Sequence, residues 1–231
     1  MCGFFGSYQD HTSIKTKSKS IEKLLEHRGP DNTKEVSFEN EKVNFYTKFF
    51  RLSIIDNNKR SDQPYEYKNL ILVFNGEIYN YLEIKKYLKK KHNIKFTTTG
   101  DTEVLIKFIY YEGFEHISML EGMWSFVIFN KDTKKTFLCR DRFGEKPIFY
   151  NRSKLGLFFS SEIKPLVSLL NLNLLNINYV IKYLFCSYRY LNSDNKTFYD
   201  DIFSVNAGTF LEFDKQLVPK EHIYFNKFKK A

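Results

Sequence analysis

Short runs of β-branched and aromatic residues, spaced by polar turns and broken by only a few amphipathic stretches, constrain this chain more than any other feature. Strands are expected at residues 43–50, 70–74, 124–129, 135–139, 147–150, 157–159 and 209–213, where Val, Ile, Phe, Tyr and Trp concentrate. Asn130-Lys131-Asp132 and Asn151-Arg152-Ser153 predict tight turns between antiparallel neighbours. Helical spacing links Ile84, Tyr87 and Leu88, then Val104, Leu105, Phe108 and Tyr111, then Tyr179, Val180, Tyr183 and Leu184. Asp101 or Thr102 is the expected N-cap of the middle helix, and Gly113 its stop. Strands and helices do not alternate strictly, so antiparallel sheets covered by helices, an α+β fold, are favoured over a doubly wound parallel one.

A chain of 231 residues, 42% hydrophobic and 18% aromatic, can bury a sizeable core. Its apolar runs, such as 70–74 and 124–129, fall far short of the roughly 20 residues that span a bilayer, so no membrane partner is expected. The first residues lack a basic and then apolar leader, and Gly does not occupy position 2, so a cytoplasmic protein is expected. A net charge of +9 invites a polyanion, but the lysines are dispersed and cluster only at 89–91 and 229–230, so no nucleic acid is expected either. Cys2, Cys139 and Cys186 fit neither a disulfide framework nor a zinc knuckle, and Cys139 and Cys186 read as packing residues. His11, His92, His116 and His222 lack ligand spacing, so no metal site is expected.

Cys2 stands directly behind the initiator methionine. Removing Met1 would place a thiol and a free α-amine on one residue. The thiolate is a strong nucleophile but scarce at neutral pH, so it needs a base. An α-amine titrates near 7.7–8.0, well below a lysine, and is held beside the thiol by covalent connection. The duller alternative is a small buried side chain or a palmitoylation site.

Other segments decide between these alternatives. Met1-Cys2-Gly3, His27-Arg28-Gly29-Pro30-Asp31, Arg51-Leu52-Ser53-Ile54-Ile55-Asp56, Asn75-Gly76-Glu77-Ile78-Tyr79-Asn80, Gly100-Asp101-Thr102-Glu103, the run from Arg140 to Pro147 and that from Ser161 to Leu166 occur in this order. Together they resemble the glutaminase domain of asparagine synthetases, class II glutamine amidotransferases with an N-terminal nucleophile. The likeness runs from Cys2 to about Phe213.

The resemblance implies a four-layer αββα sandwich of two antiparallel sheets, the N-terminal nucleophile hydrolase type. It implies that Cys2 attacks the glutamine side-chain amide, forms a γ-glutamyl thioester and releases ammonia, after which water frees glutamate. Acyl transfer places charge on the former carbonyl oxygen. By resemblance the Asn75 amide and the Gly76 backbone N–H would receive it; an Asn-Gly hairpin turn is the competing explanation. Arg51 would grip the substrate α-carboxylate, while Glu77 and Asp101 would hold its α-ammonium. Their duller readings are a strand-edge charge for Arg51, an exposed strand residue for Glu77 and a helix cap for Asp101. His27 is read as shaping the loop beside the pocket, and 140–147 and 161–166 as structural or facing a second domain.

Residues 2–213 are expected to form the glutaminase domain and 214–231 to begin a linker. The family's synthetase domain carries a Ser-Gly-Gly-x-Asp-Ser phosphate loop, and no such segment occurs here. No cofactor is therefore expected in this domain, with ATP and Mg²⁺ implied for a synthetase domain elsewhere. The expected partners are glutamine, a C-terminal synthetase domain or separate ammonia-accepting subunit, and a second copy in a homodimer. Ammonia would serve ATP-dependent amidation of aspartate. A sugar acceptor, or a catalytically silent domain of the same fold, are the alternatives.

Overall fold

The computed structural model describes residues 1–9, 13–41, 43–53, 56, 58–172, 174–186 and 195–226, without the side chains of 13–18 and 186. His11, Ile54, Ile55, the Cys186 side chain and the 229–230 lysine pair lie outside the described residues. In chain order the elements are β1 (Gly3–Tyr8), α1 (Ser13–Leu25), β2 (Asn32–Glu39), β3 (Asn44–Arg51), β4 (Tyr65–Tyr67), β5 (Leu70–Ile78), α2 (Tyr81–His92) and α3 (Asp101–Glu112). They continue with β6 (Gly122–Asn130), β7 (Lys135–Arg140), β8 (Phe149–Ser153), β9 (Gly156–Ser160), α4 (Ile163–Leu170), α5 (Ile177–Cys186), β10 (Phe203–Ser204), β11 (Thr209–Phe213) and β12 (Lys220–Ile223).

Two six-stranded antiparallel sheets form, in the orders β10-β8-β9-β1-β3-β2 and β12-β11-β7-β6-β5-β4. Phe4, Tyr8, Phe45, Phe49, Ile71, Val73, Val127 and Phe129 pack in one buried cluster between the sheets. Neighbouring residues of the same strands point the other way: Leu70, Leu72, Phe74, Phe126 and Ile128 meet Ile84, Leu88, Val104 and Phe108 of α2 and α3. On the opposite outer face, Phe5, Tyr46 and Phe158 meet Ile21 and Leu25 of α1 and Leu166 and Leu169 of α4. The result is the αββα sandwich that the resemblance implied. Burial on both faces explains why 70–74 reads as an unbroken apolar run and 124–129 as one interrupted only by Ser125, rather than as alternating patterns.

Several local expectations change. Asn130 does close the β6–β7 turn, its Oδ1 accepting from the N–H groups of Asp132 (2.9 Å) and Thr133 (3.0 Å). Asn151-Arg152-Ser153 instead lies within β8, and the turn falls at Lys154 and Leu155. The N-cap of α3 is Gly100, with Asp101 the first helical residue. The second sheet runs past Phe213, because β12 pairs with β11 across Thr209↔Ile223 and Glu212↔Lys220. Only Ile223 is apolar in that strand, so its strand signal is weak.

This architecture positions the chain's start. β1 lies inside the first sheet between β9 and β3, so Gly3 pairs with Phe50, beside Arg51 at the end of β3. β5 lies against β6 in the second sheet, with Asn75 opposite Ser125 and Gly76 opposite Trp124. Stacking the sheets brings the start of β1 to the end of β5.

Candidate active site

A cleft enclosing about 640 Å³ of empty space, open solvent at its mouth included, receives Cys2, Arg51, Asn75, Gly76, Glu77 and Asp101 in its wall. All six residues singled out in the sequence therefore meet at one place. Leu52, Gln63, Met123 and Lys146 also line it.

Cys2 is half-buried, and its Sγ lies 3.5 Å from the Leu52 carbonyl and 3.4 Å from the Leu52 N–H. Burial pushes the thiol above its ordinary value, while the Leu52 N–H, the α-amine of residue 1, Arg51 and Arg28 pull it down. The resting group is a thiol, and the Leu52 N–H with the cations of Arg51 and Arg28, which remain when Met1 is removed, favour the thiolate once a base has taken the proton. Arg28 donates through Nε to the Cys2 carbonyl (2.9 Å) and through Nη1 to Glu162 (3.0 Å), which pins the backbone that carries the nucleophile. Gly29 lets this segment approach β3: a Cβ there would lie 2.3 Å from the Phe50 carbonyl oxygen.

Asn75 and Gly76 belong to the body of β5, not to a hairpin turn, so the turn explanation is excluded. Asn75 is 1% exposed, and its Nδ2 has no hydrogen-bond partner among the described residues. An unpaired buried amide donor carries a desolvation penalty of about 1–3 kcal/mol, one that an acceptor in the cleft would relieve. Gly76 adopts φ +155°, and a Cβ there would sit 2.1 Å from the Met123 carbonyl oxygen, so no other residue fits.

Arg51 is 7% exposed on an interior strand, which removes the surface-charge reading. Its Nη1 donates to the Asn58 carbonyl (3.2 Å) and to Asp62, and its Nη2 to the Asp56 carbonyl. A guanidinium carries five N–H donors, and these bonds engage three of them.

Asp101 is buried and does more than cap a helix. Its Oδ2 accepts the Ile78 N–H at 3.0 Å, tying α3 to β5. Burial raises its pKa to about 6, the neighbouring Glu77 adds to the rise, and the N–H groups of Ile78 and Thr102 oppose it. The Glu77 carboxylate has no hydrogen-bond or ion-pair partner among the described residues, although its backbone pairs with Met123 in the sheet. Two carboxylates on one wall, one buried and one unpaired, form a site suited to a cation.

His27 does not line the cleft; its Nε2 lies 2.9 Å from Glu162 on the surface. Asp141, fully buried, gathers the N–H groups of Trp124, Phe143, Glu145 and Lys146, so the 140–147 segment is a loop folded around one carboxylate. That loop delivers Lys146, whose Nζ approaches the Met1 sulfur at 3.3 Å. Lys146 carries no local signature of its own, because among 36 cationic residues only the loop's fold distinguishes it.

No group of three or more His, Cys, Asp or Glu side chains is placed to hold a metal ion among the described residues.

A family model for the glutamine amidotransferase domain matches residues 1–225. The chain is 38% identical over 173 residues to asparagine synthetase (glutamine-hydrolyzing) 1 of Bacillus subtilis, covering 72% of this chain and 27% of that protein. It is 32% identical over 232 residues to a putative asparagine synthetase (glutamine-hydrolyzing) 2 of Methanocaldococcus jannaschii, covering 93% and 44%. It thus spans less than half the length of these curated relatives. Among solved structures, glutamine phosphoribosylpyrophosphate amidotransferase of B. subtilis matches with a TM-score of 0.66 at 18% identity, covering 96% of this chain and 49% of that one, a likeness of fold. This chain belongs to the family of glutamine amidotransferase domains.

Proposed function

We propose that this chain hydrolyses glutamine to glutamate and ammonia through a γ-glutamyl thioester on Cys2, and that removal of Met1 creates the base. The observation that carries this reading is the convergence of Cys2, the unpartnered Asn75 amide and Gly76 with a cation and two carboxylates in one cleft.

The chemistry follows from these groups. The neutral α-amine of Cys2 takes the thiol proton, and the sulfur bonds to the side-chain carbonyl carbon of glutamine. The oxygen becomes an oxyanion facing the Asn75 Nδ2 and the Gly76 N–H. Collapse of the tetrahedral species breaks the C–N bond, and the ammonium formed at Cys2 returns its proton to the departing nitrogen, which leaves as ammonia. Water, deprotonated by the same amine, attacks the thioester and releases glutamate and the thiol. Arg51 orients the substrate through its α-carboxylate, and Glu77 with Asp101 through its α-ammonium, which converts binding into alignment of the amide over sulfur.

Relatives named asparagine synthetase support aspartate as the ammonia acceptor, amidated by an ATP-dependent domain or subunit with its own Mg²⁺. A cytoplasmic location accords with this reading; no helix among the described residues is long and apolar enough to cross a membrane. The test is glutamate release from L-glutamine by the processed chain and by Cys2→Ala. The reading predicts loss of release in the variant, and equal rates would refute it.

A further inference from the structure

The two charged walls of the cleft are joined by a residue to which the proposed chemistry gives no role. Asp56 has a side chain that is 4% exposed and lies between the segment after Arg51 and the turn before Asp101. Its backbone carbonyl accepts from Arg51 Nη2. Its carboxylate reaches the other way: Oδ2 accepts the Thr99 N–H at 2.8 Å, two residues ahead of Asp101, and Oδ1 accepts the Asn58 N–H at 3.1 Å. Arg60 Nη2 stands 3.6 Å off at the rim. Burial alone would raise this carboxyl, but hydrogen bonds from Thr99, Asn58 and Ser61 outweigh it and hold it far below the usual range.

The turn that Asp56 grips is braced from its far side as well. Glu103 accepts the N–H groups of Thr97 (3.0 Å) and Thr98 (2.7 Å) and pairs with Lys107 at 2.6 Å. Gly100 packs directly against Asp56: a Cβ at Gly100 would lie 3.6 Å from the Asp56 Cβ, an ordinary van der Waals contact. Asp56 itself takes φ +53°, a left-handed conformation that Asp and Asn tolerate better than other side chains.

We propose that Asp56 is a positioning residue that sets the spacing between Arg51 and Asp101, and so matches the cleft to an α-amino acid carrying both a carboxylate and an ammonium. The proposal rests on the roles given above to Arg51 and Asp101. Losing a charge-assisted hydrogen bond of this kind costs about 1.5–3 kcal/mol, roughly ten- to a hundredfold in an equilibrium constant.

The experiment measures glutamine turnover by processed wild type, Asp56→Ala and Asp56→Asn. Two competitors are added to it: a glutamine analogue lacking the α-ammonium and another lacking the α-carboxylate. Asp56→Ala is expected to raise KM for L-glutamine about tenfold or more with kcat within about threefold. Its effect on each analogue's inhibition constant should be smaller, because one ionic end no longer has to be held in register with the other. Asp56→Asn keeps the left-handed backbone and one acceptor oxygen, so its KM should fall between the two; it carries the test if Asp56→Ala does not fold. A KM within about twofold of wild type, a loss confined to kcat, or equal penalties for glutamine and both analogues would overturn the proposal. Equal turnover by Cys2→Ala and wild type would instead sink the Cys2 thioester reading, a separate result from the ratio between Asp56 variants and wild type.

Discussion

The two ends of the cleft are built differently. At the reacting end the groups are short and fixed by strands: Cys2 sits at the head of β1, its carbonyl clasped by Arg28, and Asn75 and Gly76 lie inside β5. The Asn75 donor there has no partner among the described residues. At the recognition end the groups are charged, and internal contacts hold two of them, Arg51 and Asp101, in place. Arg51 is tied to the segment from Asp56 to Asp62, and Asp101 to the Ile78 N–H. A donor site built into a strand suits a charge that exists only during reaction. Ionisable groups of both signs, with Arg51 and Asp101 braced, suit a substrate that is zwitterionic before and after. Changes at the first end should therefore lower kcat, and changes at the second should raise KM.

The largest effect tests the first end at its base. A short peptide left ahead of Cys2 converts the amine into a non-basic amide, so glutamate release should fall at least about a thousandfold while a small alkylating agent still labels the thiol. Full turnover by that extended protein would show that the base lies elsewhere. Asn75→Ala comes next: steady-state assays should show kcat lowered about a hundred- to a thousandfold with KM nearly unchanged, the usual cost of one oxyanion donor. A rise in KM alone would move Asn75 to the recognition end.

Arg51→Lys sharpens the other side of the contrast. A point charge cannot reproduce the guanidinium fork, so KM for L-glutamine should climb roughly tenfold or more while kcat changes less. The mirror-image result, kcat lost and KM kept, would break the distinction between the two ends.

Asp101→Asn gives the smallest kinetic change but links recognition to stability. The folded carboxyl has a pKa of about 6, above its unfolded value near 3.9, so the folded state binds the proton more tightly. The associated stability is present below about pH 4 and is lost as pH rises through about 6. Asn keeps an acceptor for the Ile78 N–H without the charge. Thermal melts at pH 8 should then rise by roughly 5 °C, from on the order of 2 kcal/mol, with little change at pH 4, as KM rises severalfold. For the wild type, kcat/KM should decline below about pH 6 as Asp101 takes up its proton. A lower melting temperature at pH 8 would mean that the charge supports the fold rather than straining it.

How far these features were legible depended on the range of the interaction. Cys2, Asn75, Gly76 and Asp101 were readable because each sits in a short segment with its own chemical signature. The cores of β5, β6 and α3 were readable because their apolar runs are dense. α1 was not foreseen: it is lysine- and serine-rich, and of its described side chains only Ile21 and Leu25 reach the core. α4 was hidden by Pro165, which its first turn tolerates. The bonds of Arg51, the delivery of Lys146 and the bridge made by Asp56 depend on loops meeting across the fold, and no local pattern carries that information.

The central claim is that the sulfur at position 2 meets the glutamine amide carbon. It is tested most directly by treating the Met1-processed chain with a glutamine-mimicking diazoketone and mapping the adduct by peptide mass. The account predicts one equivalent on Cys2, blocked by excess L-glutamine and absent from Cys2→Ala. Modification at Cys139 or elsewhere, with Cys2 left free, would contradict it.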